Sequence, residues 1–388
     1  MIDSKLAYFT QVLIITGVLY MLVWRRHLIL RLQVLAWSIA VAFIAWRFGT
    51  EAQLGFYSND QLQYASIVRI LQRWNWGEGE SATLFWWLDF AKIPFTLTAL
   101  PLTLTGINVA LALKTTSLVC LLAISNETLD RYPRRDLGRQ FQLLYITGTG
   151  IVGGFFSVLA LRDTMMMYFV FRFATNRSVT GRLISIAVIF LLRSHLAIAL
   201  ITAEIVMTAW KWGTNRSRLG YIEVPLLMAG GLGIGIGLFY LRFGALQSAG
   251  YGLNETKEIA SNFVGLQFLV QNERFVKLSV SELLLLRVLF SDTIAIPIAF
   301  TTASLFFPTK LNYRSKFTLV AFCIYLGIVT NTDFNSFRQN IPFMPLMGLA
   351  VLDIVQIQKL KSSSRGGEVA RELEECQGDD NQRKFPSR

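Results

Sequence analysis

The sequence predicts an all-α, polytopic transmembrane helical bundle of about 11 spans, and three observations lead to that prediction. The 388 residues are 53% hydrophobic and only 16% charged, whereas soluble domains carry about 25% charged residues. The mean hydropathy is +0.46. Apolar runs of about 20 residues, the length needed to cross a bilayer, recur from residue 6 to residue 357. This pattern excludes a soluble enzyme, a fibrous chain and a β-barrel, whose strands alternate over about 10 residues.

The expected spans differ in length. They cover residues 7–24, 28–48, part of 84–125, 142–161, 164–175, 183–193, 196–210, 219–242, 286–307, 317–332 and 341–357. Two of them, 164–175 and 183–193, are too short to cross about 30 Å at about 1.5 Å per residue, so they must meet a protein-lined or water-filled cavity. Pro94 and Pro101 are expected to break the run 84–125 into an interfacial or re-entrant helix and one crossing.

Residues 1–361 are therefore predicted to form one transmembrane domain, and the polar residues 362–388 a disordered tail. The first 27 residues lack a basic start and a cleavage site, so they are expected to be a first span. The glycine-rich run 230–237 lies within another span, where it allows close helix packing. No strand precedes this run, so a phosphate-binding loop is not expected there.

Basic residues in the short loops predict the orientation. The net charge is +12, and Lys and Arg concentrate in short loops that can share one side of the membrane. The positive-inside rule assigns that side to the cytoplasm. The N-terminus and two long loops, 49–83 and 245–285, are then outside, and the tail is cytoplasmic. Because no basic stretch is interleaved with aromatic residues outside the spans, membrane lipids are expected partners and nucleic acid is not.

Metal and disulfide chemistry have little support in the sequence. The three cysteines lie far apart, and the only histidines are His27 and His195. This spacing favours neither a disulfide framework nor a His/Cys metal site. No cofactor or metal is therefore expected.

Charged residues at the outer ends of three predicted spans are the candidate functional residues. They are Arg162 with Asp163, Arg193 with His195, and Asp333 with Arg338. A charge within the bilayer costs at least about 2.5 kcal/mol, so its presence needs a reason. A basic cluster of this kind suits a phosphate or pyrophosphate on a membrane lipid, because Arg donates paired hydrogen bonds to phosphate. Each pair also has a structural explanation: snorkelling to the interface, a loop tip between short helices, or an internal ion pair.

The first outer loop contains a predicted amphipathic helix that follows Asp60. One side of this helix carries Tyr64, Ile67, Val68, Leu71 and Trp74, and the other side carries Gln63, Ser66 and Arg73. A helix of this type can lie in the membrane plane. Residues 58–61 also fit a capping box, so Asp60 is either part of a helix cap or a catalytic carboxylate.

Four short motifs occur in order between residues 40 and 350. They are Arg47-Phe-Gly with Ser58-Asn-Asp60-x-x-x-Tyr64, Ser157-x-x-x-x-Arg162-Asp163, Arg193-Ser-His195, and Arg338-x-x-x-Pro342-x-x-Pro345. Their order resembles that of the EpsG/Wzy-like polysaccharide polymerases, which belong to the wider GT-C-type membrane glycosyltransferases. The D-x-D or E-x-D pair of many GT-C enzymes is absent, because Asn59 and Asp60 are all that stands at that place.

The resemblance implies a GT-C-like fold and a glycosyltransferase of the inner (plasma) membrane. Such an enzyme joins oligosaccharide units carried on polyprenyl pyrophosphate at the outer face, in exopolysaccharide or O-antigen-type glycan synthesis. Asp60, or Asp89 in its place, would accept the proton of the acceptor hydroxyl. Arg162, Arg193 and Arg338 would stabilise the departing pyrophosphate, and His195 would orient it or donate a hydrogen bond. The implied partners are the polyprenyl-linked sugar and other glycan-assembly proteins.

Three alternatives remain open at the level of sequence. A GT-C enzyme of a different kind would transfer one sugar from a polyprenyl monophosphate. A secondary transporter or a flippase for lipid-linked sugars would be non-enzymatic, but transporters show internal repeats and charges near the midplane, and the sequence has no recognisable repeat. A structural membrane subunit would not require converging arginines.

Overall fold

The structure is a computed structural model that describes residues 2–48, 59–73, 93–131, 153–154, 157–158, 162–176, 178–213, 223–248, 311, 313–329 and 341–350. Within these ranges every regular element is helical and none is a strand, which confirms the all-α prediction for this part of the chain. The α-helices are α1 (Ile2–Val23), α2 (Leu28–Phe48), α3 (Asn59–Arg73), α4 (Ile93–Leu104), α5 (Val109–Arg131), α6 (Asp163–Thr175), α7 (Val179–Leu192), α8 (Ser194–Gly213), α9 (Glu223–Ser248) and α10 (Tyr313–Val329). A 3₁₀ turn, Ile341–Phe343, opens a further apolar helical segment, Ile341–Ala350.

Three of the described helices are long and apolar enough to cross a membrane. They cover Lys5–Val23, Leu28–Arg47 and Val109–Asp130. Shorter apolar helices cover Ile93–Leu104, Val179–Leu192, Glu223–Leu238 and Ile341–Ala350. The described residues therefore contain helices suited to a membrane, and three of them are both long and apolar enough to span it, against about 11 spans expected for the whole sequence. The predicted span 286–307, most of 142–161 and the tail 362–388 lie outside the described residues.

Helices α1 and α2 form a hairpin whose outer surface is apolar. The exposed side chains include Leu13, Ile14, Met21, Ile39 and Phe43. Hydrocarbon side chains on helices of this length match the lipid tails of a bilayer. The inner side of α2 packs on α5, where Gln33 Nε2 donates a hydrogen bond of 3.1 Å to Ser125 Oγ.

The described part of the run 84–125 is interrupted at Gly106 and not at Pro101, which corrects the prediction for Pro101, while residues 84–92 before Pro94 lie outside the described residues. Pro94 is the second residue of α4, where a missing N–H costs nothing, and α4 continues past Pro101 in its last turns. Gly106 has φ +85°, a left-handed conformation that favours glycine after a helix end. From α1, Gln11 Nε2 donates to Gly106 O (3.2 Å), and Gln11 Oε1 accepts from Asn108 N (2.8 Å). The turn between α4 and α5 is thus fixed by a side chain of α1.

Helix α3 confirms the predicted amphipathic pattern, and protein covers its apolar side. The buried side chains are Tyr64, Ala65, Ile67, Val68 and Leu71. Ser66 is exposed, as expected, while Trp74 lies outside the described residues. The Tyr64 ring packs edge-on against Phe95 of α4, with ring centroids 5.3 Å apart. The apolar side of α3 therefore contributes to the core of the bundle, where it packs on α4 and α5.

Glycines bring α9 and α10 into direct backbone contact, which confirms the close packing predicted for the run 230–237. A Cβ atom added at Gly327 would lie 2.7 Å from the backbone N of Ile236. A Cβ atom added at Gly235 would clash with the backbone carbonyl of Ile324. Only glycine fits at these two positions, because neither clash involves a side chain that can turn away.

We expect Gly235→Ala to destabilise the protein by about 1–3 kcal/mol, because the new methyl group forces the two backbones apart. Gly233→Ala is the matched control on the same helix, since a Cβ atom there meets nothing within 4 Å. Alanine favours a helix more than glycine does, so the control should be neutral or slightly stabilising. Thermal unfolding of the purified proteins in one detergent measures both effects. Equal unfolding midpoints for the two variants would contradict the contact.

Candidate functional site

Three elements that are distant in the sequence meet around one buried arginine. Arg162 is the N-cap residue of α6, Arg193 lies between α7 and α8, and Tyr325 lies in the second half of α10. Helix α10 packs on α8 and α9 and also contacts α6. The start of α6, the α7–α8 junction and the later part of α10 therefore share one end of the bundle.

Arg193 is held by groups from two other helices. Its Nη1 donates a hydrogen bond of 3.2 Å to the Tyr325 hydroxyl, and its Nη2 lies 4.0 Å from Asp163 Oδ1. The Arg193 side chain is 10% exposed, and the Asp163 side chain is 0% exposed. Because the guanidinium is planar and is contacted on two of its nitrogens, its orientation is largely fixed before any ligand arrives.

His195 adds an imidazole to the same cluster. Its ring stacks on the Tyr325 ring, with centroids 5.8 Å apart and an angle of 18° between the planes. The Tyr325 ring also contacts Phe343, at a centroid distance of 5.2 Å. Tyr325 therefore connects Arg193 and His195 to the segment Ile341–Ala350, which follows Arg338 in the sequence.

The backbone at Arg193 explains why the chain turns here. Its N–H donates to Ile189 O (2.7 Å) and completes α7, while its carbonyl accepts from Leu196 N (3.0 Å) and opens α8. The residue itself is extended, with φ −161° and ψ 91°, so the two helices leave it in different directions. A cation is favourable at the C-terminus of α7. The N-termini of α6 and α8 lie at the same end and add positive potential there.

At the opposite end of the bundle, each described carboxylate forms an ion pair with one basic side chain. The pairs are Glu127 with Arg172 (3.1 Å), Asp130 with His27 (3.5 Å), Glu204 with Arg182 (2.8 Å) and Glu223 with Lys316 (2.5 Å). The cluster around Arg193 differs, because Asp163 is the one carboxylate that the structure describes beside Arg162 and Arg193. Among the described residues, the charged side chains of this cluster are thus two arginines and one carboxylate.

The structure brings together some of the predicted site residues. Arg193 and His195 share the cluster through Tyr325, and Arg162 directly precedes the Asp163 that contacts Arg193. Asp60 is the second residue of α3, in the turn where a carboxylate is favourable. Arg338, Asp333, Asp89 and the carboxylates at 255–273 lie outside the described residues.

Sequence reasoning missed Tyr325. It stands in an apolar helix, and a tyrosine there fits a core, an interface or a site equally well, so its residue type gave no signal. Asp163 was noticed beside Arg162, but its contact with Arg193 depends on the packing of α6 against the α7–α8 pair. Among the described residues, no group of three or more His, Cys, Asp or Glu side chains is arranged to hold a metal ion.

Comparison of the chain with protein-family models, with curated proteins and with solved structures gives no match. The described residues define a helical protein that has membrane-type helices and a buried basic cluster at one end of the bundle. Its function is therefore inferred from the residues of that cluster and from the order of the sequence motifs.

We expect Asp163→Asn to lower the free energy of unfolding by about 3 kcal/mol, because a buried cation loses its carboxylate while the side-chain shape is kept. Asp130→Asn is the matched control, because Asp130 is 51% exposed and, among the described residues, pairs with His27 and accepts a hydrogen bond from Asn126 on the exposed side of its own helix. Its effect should stay below about 1 kcal/mol. Unfolding midpoints in detergent compare the two variants, and a larger loss for Asp130→Asn would refute the buried pair.

Proposed function

We propose that this protein is a GT-C-type membrane glycosyltransferase that joins oligosaccharide units carried on polyprenyl pyrophosphate at the outer face of the plasma membrane. The observation that carries the proposal is the convergence of Arg162-Asp163 and Arg193-Ser-His195, two separate sequence motifs, on one buried cluster. A site for a lipid-linked diphosphate requires this arrangement, since its cations must gather at one end of the helices. The apolar helices α1, α2 and α5 support a location in the membrane.

The chemistry needs a proton acceptor and a site for the leaving group. The acceptor hydroxyl oxygen attacks the anomeric carbon of the donor sugar, and the bond from that carbon to the diphosphate oxygen breaks. Asp60 takes the hydroxyl proton. Arg162, Arg193 and His195 surround the oxygens on which negative charge develops, and Arg338 joins them on the basis of its sequence motif.

The position of Arg193 suits this role. The contacts with Tyr325 and Asp163 hold the guanidinium in place, so little reorganisation is needed when the diphosphate binds. The site is also largely closed to water, as the low exposure of both charged side chains shows. Electrostatic stabilisation is stronger in such surroundings than in water.

Arg162→Lys and Arg193→Lys test the proposed function. Each should lower product formation about 10-fold or more, because Lys lacks the planar fork that binds phosphate oxygens in pairs. Arg172→Lys is the control at the other end of α6, where a lysine can still pair with Glu127. Purified protein in nanodiscs is given a polyprenyl-diphosphate oligosaccharide or a polyprenyl-monophosphate monosaccharide, and the products are separated by length.

Polymer from the diphosphate donor, lost in both site variants and kept in Arg172→Lys, is the expected result. Extension by single sugars, from the monophosphate donor alone, would mean that the protein is a single-sugar transferase and not a polymerase. Wild-type product levels from both site variants would refute the anion site.

Asp60→Asn distinguishes a catalytic role of Asp60 from a role as a helix-cap residue. Asn favours a helix start about as well as Asp, so abundance and folding should be unchanged. An amide does not accept a proton near neutral pH, and base catalysis contributes about 10²–10⁴-fold, so product should fall by that much. Asp89→Asn is measured in parallel as the alternative base. Near-normal product from Asp60→Asn, at normal protein level, would leave Asp60 as a residue of the helix start only.

A further inference from the structure

The turn that joins α1 to α2 presents a group of arginines at the end of the apolar hairpin. Arg25 and Arg26 lie in the turn itself, and both side chains are exposed. Arg31 follows in the first turn of α2. A backbone hydrogen bond of 2.9 Å from Arg26 N to Val23 O closes the turn. The arginines are therefore carried by a compact α1–α2 turn and by the start of a helix.

Aromatic rings support the third arginine. The Arg31 guanidinium carbon lies 5.3 Å from the centroid of the Trp24 ring, which is within the range of a cation–π interaction. The Trp24 ring packs in turn on Tyr20, with centroids 5.4 Å apart and an angle of 57° between the planes. Trp24 remains 56% exposed. The guanidinium of Arg31 is thus held next to the residue that Arg25 and Arg26 follow.

Exposed hydrocarbon side chains lie close to the arginines on both helices. Met21 and Leu22 near the end of α1, and Leu28 and Leu32 at the start of α2, are all more than half exposed. A tryptophan that has apolar neighbours on one side and cations on the other is typical of the boundary between lipid tails and headgroups. The α1–α2 turn therefore combines an apolar surface for acyl chains with a basic surface for a headgroup.

Stabilisation of the helices does not account for these arginines. The ion pair that the described residues form at the turn joins His27 Nε2 to Asp130 Oδ1 of α5 (3.5 Å), and it uses none of the three arginines. The first turn of α2 contains no acidic residue, and among the described residues Arg31 Nε has no hydrogen-bond partner. Cations are unfavourable at the N-terminus of a helix. An anion bound at the turn would offset this concentration of positive charge.

The α1–α2 turn lies at the end of the bundle opposite to the buried basic cluster. The contact between His27 and Asp130 places it beside the end of α5. Glu127, near the same end of α5, pairs with Arg172 in the last turn of α6, while Asp163 of the buried cluster begins α6. The positive-inside prediction assigns the turn to the cytoplasmic side. Anionic phospholipids give the leaflet on that side a negative surface potential.

We propose that the α1–α2 turn is a binding site for an anionic phospholipid, whose headgroup phosphate is held by Arg25, Arg26 and Arg31. Arginine suits this ligand because its planar group donates paired hydrogen bonds to phosphate oxygens. Trp24 positions Arg31 for the phosphate, and the acyl chains lie along the exposed leucines of the hairpin. This site is separate from the proposed donor site at the other end of the bundle, so it does not depend on the proposed reaction.

Native mass spectrometry of the purified full chain in detergent tests the proposal by titration with phosphatidylglycerol or phosphatidylcholine of the same acyl chains. The wild type should bind the first phosphatidylglycerol about 10-fold more tightly than phosphatidylcholine. The double variant Arg25→Gln/Arg26→Gln should weaken phosphatidylglycerol binding about 5-fold for each arginine removed and leave phosphatidylcholine binding unchanged. Its unfolding midpoint without lipid should also be unchanged, because both side chains are exposed. Trp24→Leu should weaken phosphatidylglycerol binding about 2–5-fold, because Arg31 loses the ring that holds it.

Arg69→Gln/Lys211→Gln is the matched control. It removes the same two positive charges from exposed positions elsewhere, on α3 and in the last turn of α8. Because its net charge equals that of Arg25→Gln/Arg26→Gln, a difference between the two variants reports the position of the charges. Glycerol 3-phosphate is the third probe, since it carries a phosphate without acyl chains, and it should not displace phosphatidylglycerol.

Weaker phosphatidylglycerol binding by Arg25→Gln/Arg26→Gln, with wild-type binding by the control, supports the proposal. Equal losses in the two double variants would mean that overall charge attracts the lipid, and they overturn a site at the turn. A wild type that does not prefer phosphatidylglycerol overturns the anionic lipid, and displacement by glycerol 3-phosphate replaces the lipid with a soluble phosphate. If Arg25→Gln/Arg26→Gln does not fold, Trp24→Leu decides, and wild-type affinity in that variant overturns the proposal.

Discussion

The pairing of Arg193 with Asp163 is the interaction on which the rest of the site depends. It joins the α7–α8 junction to the start of α6, and the Tyr325 hydroxyl adds α10 to the same contact. Removing two charges from water costs several kcal/mol per ion, and apolar side chains of the same volume would stabilise the bundle at least as well. Stability alone therefore does not account for this pair, and a guanidinium held in one orientation fits the anion site proposed above.

Helix packing fixes the position of the tyrosine that orients Arg193. Gly327 lies two residues beyond Tyr325 and meets the backbone of α9 at Gly235 and Ile236. A contact between two backbones leaves less freedom than one between flexible side chains, because packed backbones have no rotamers to change. The place of the Tyr325 hydroxyl is thus set by glycines that lie outside the charged cluster. The glycine-rich run of α9 and the basic cluster, which are unconnected in the sequence, act together through α10.

Candidate residues that stand out because burying charge is costly could be predicted from the sequence. Residues whose place depends on how the helices align against one another could not. Arg162, Arg193 and His195 were identified because any charged or polar interruption of an apolar run needs a reason, whatever its partner. Tyr325 was missed because tyrosine occurs commonly both in protein cores and at interfaces. The break at Gly106 was misplaced because the helix tolerates Pro101, while a hydrogen-bonded glutamine of α1 fixes the later turn.

An excess of cations, as opposed to a balanced set of ion pairs, is what the proposed reaction requires. When the bond to the donor sugar breaks, the departing diphosphate carries one negative charge more than it did in the donor. Cations that are already balanced by carboxylates would bind donor and leaving group almost equally, and uniform binding does not raise the rate of the chemical step. The ends of α5 and α6 near Glu127 are balanced in this way. In the proposed site, Asp163 is the one described carboxylate that contacts Arg193, and a net positive field there would favour the more negative leaving group and hence the transition state.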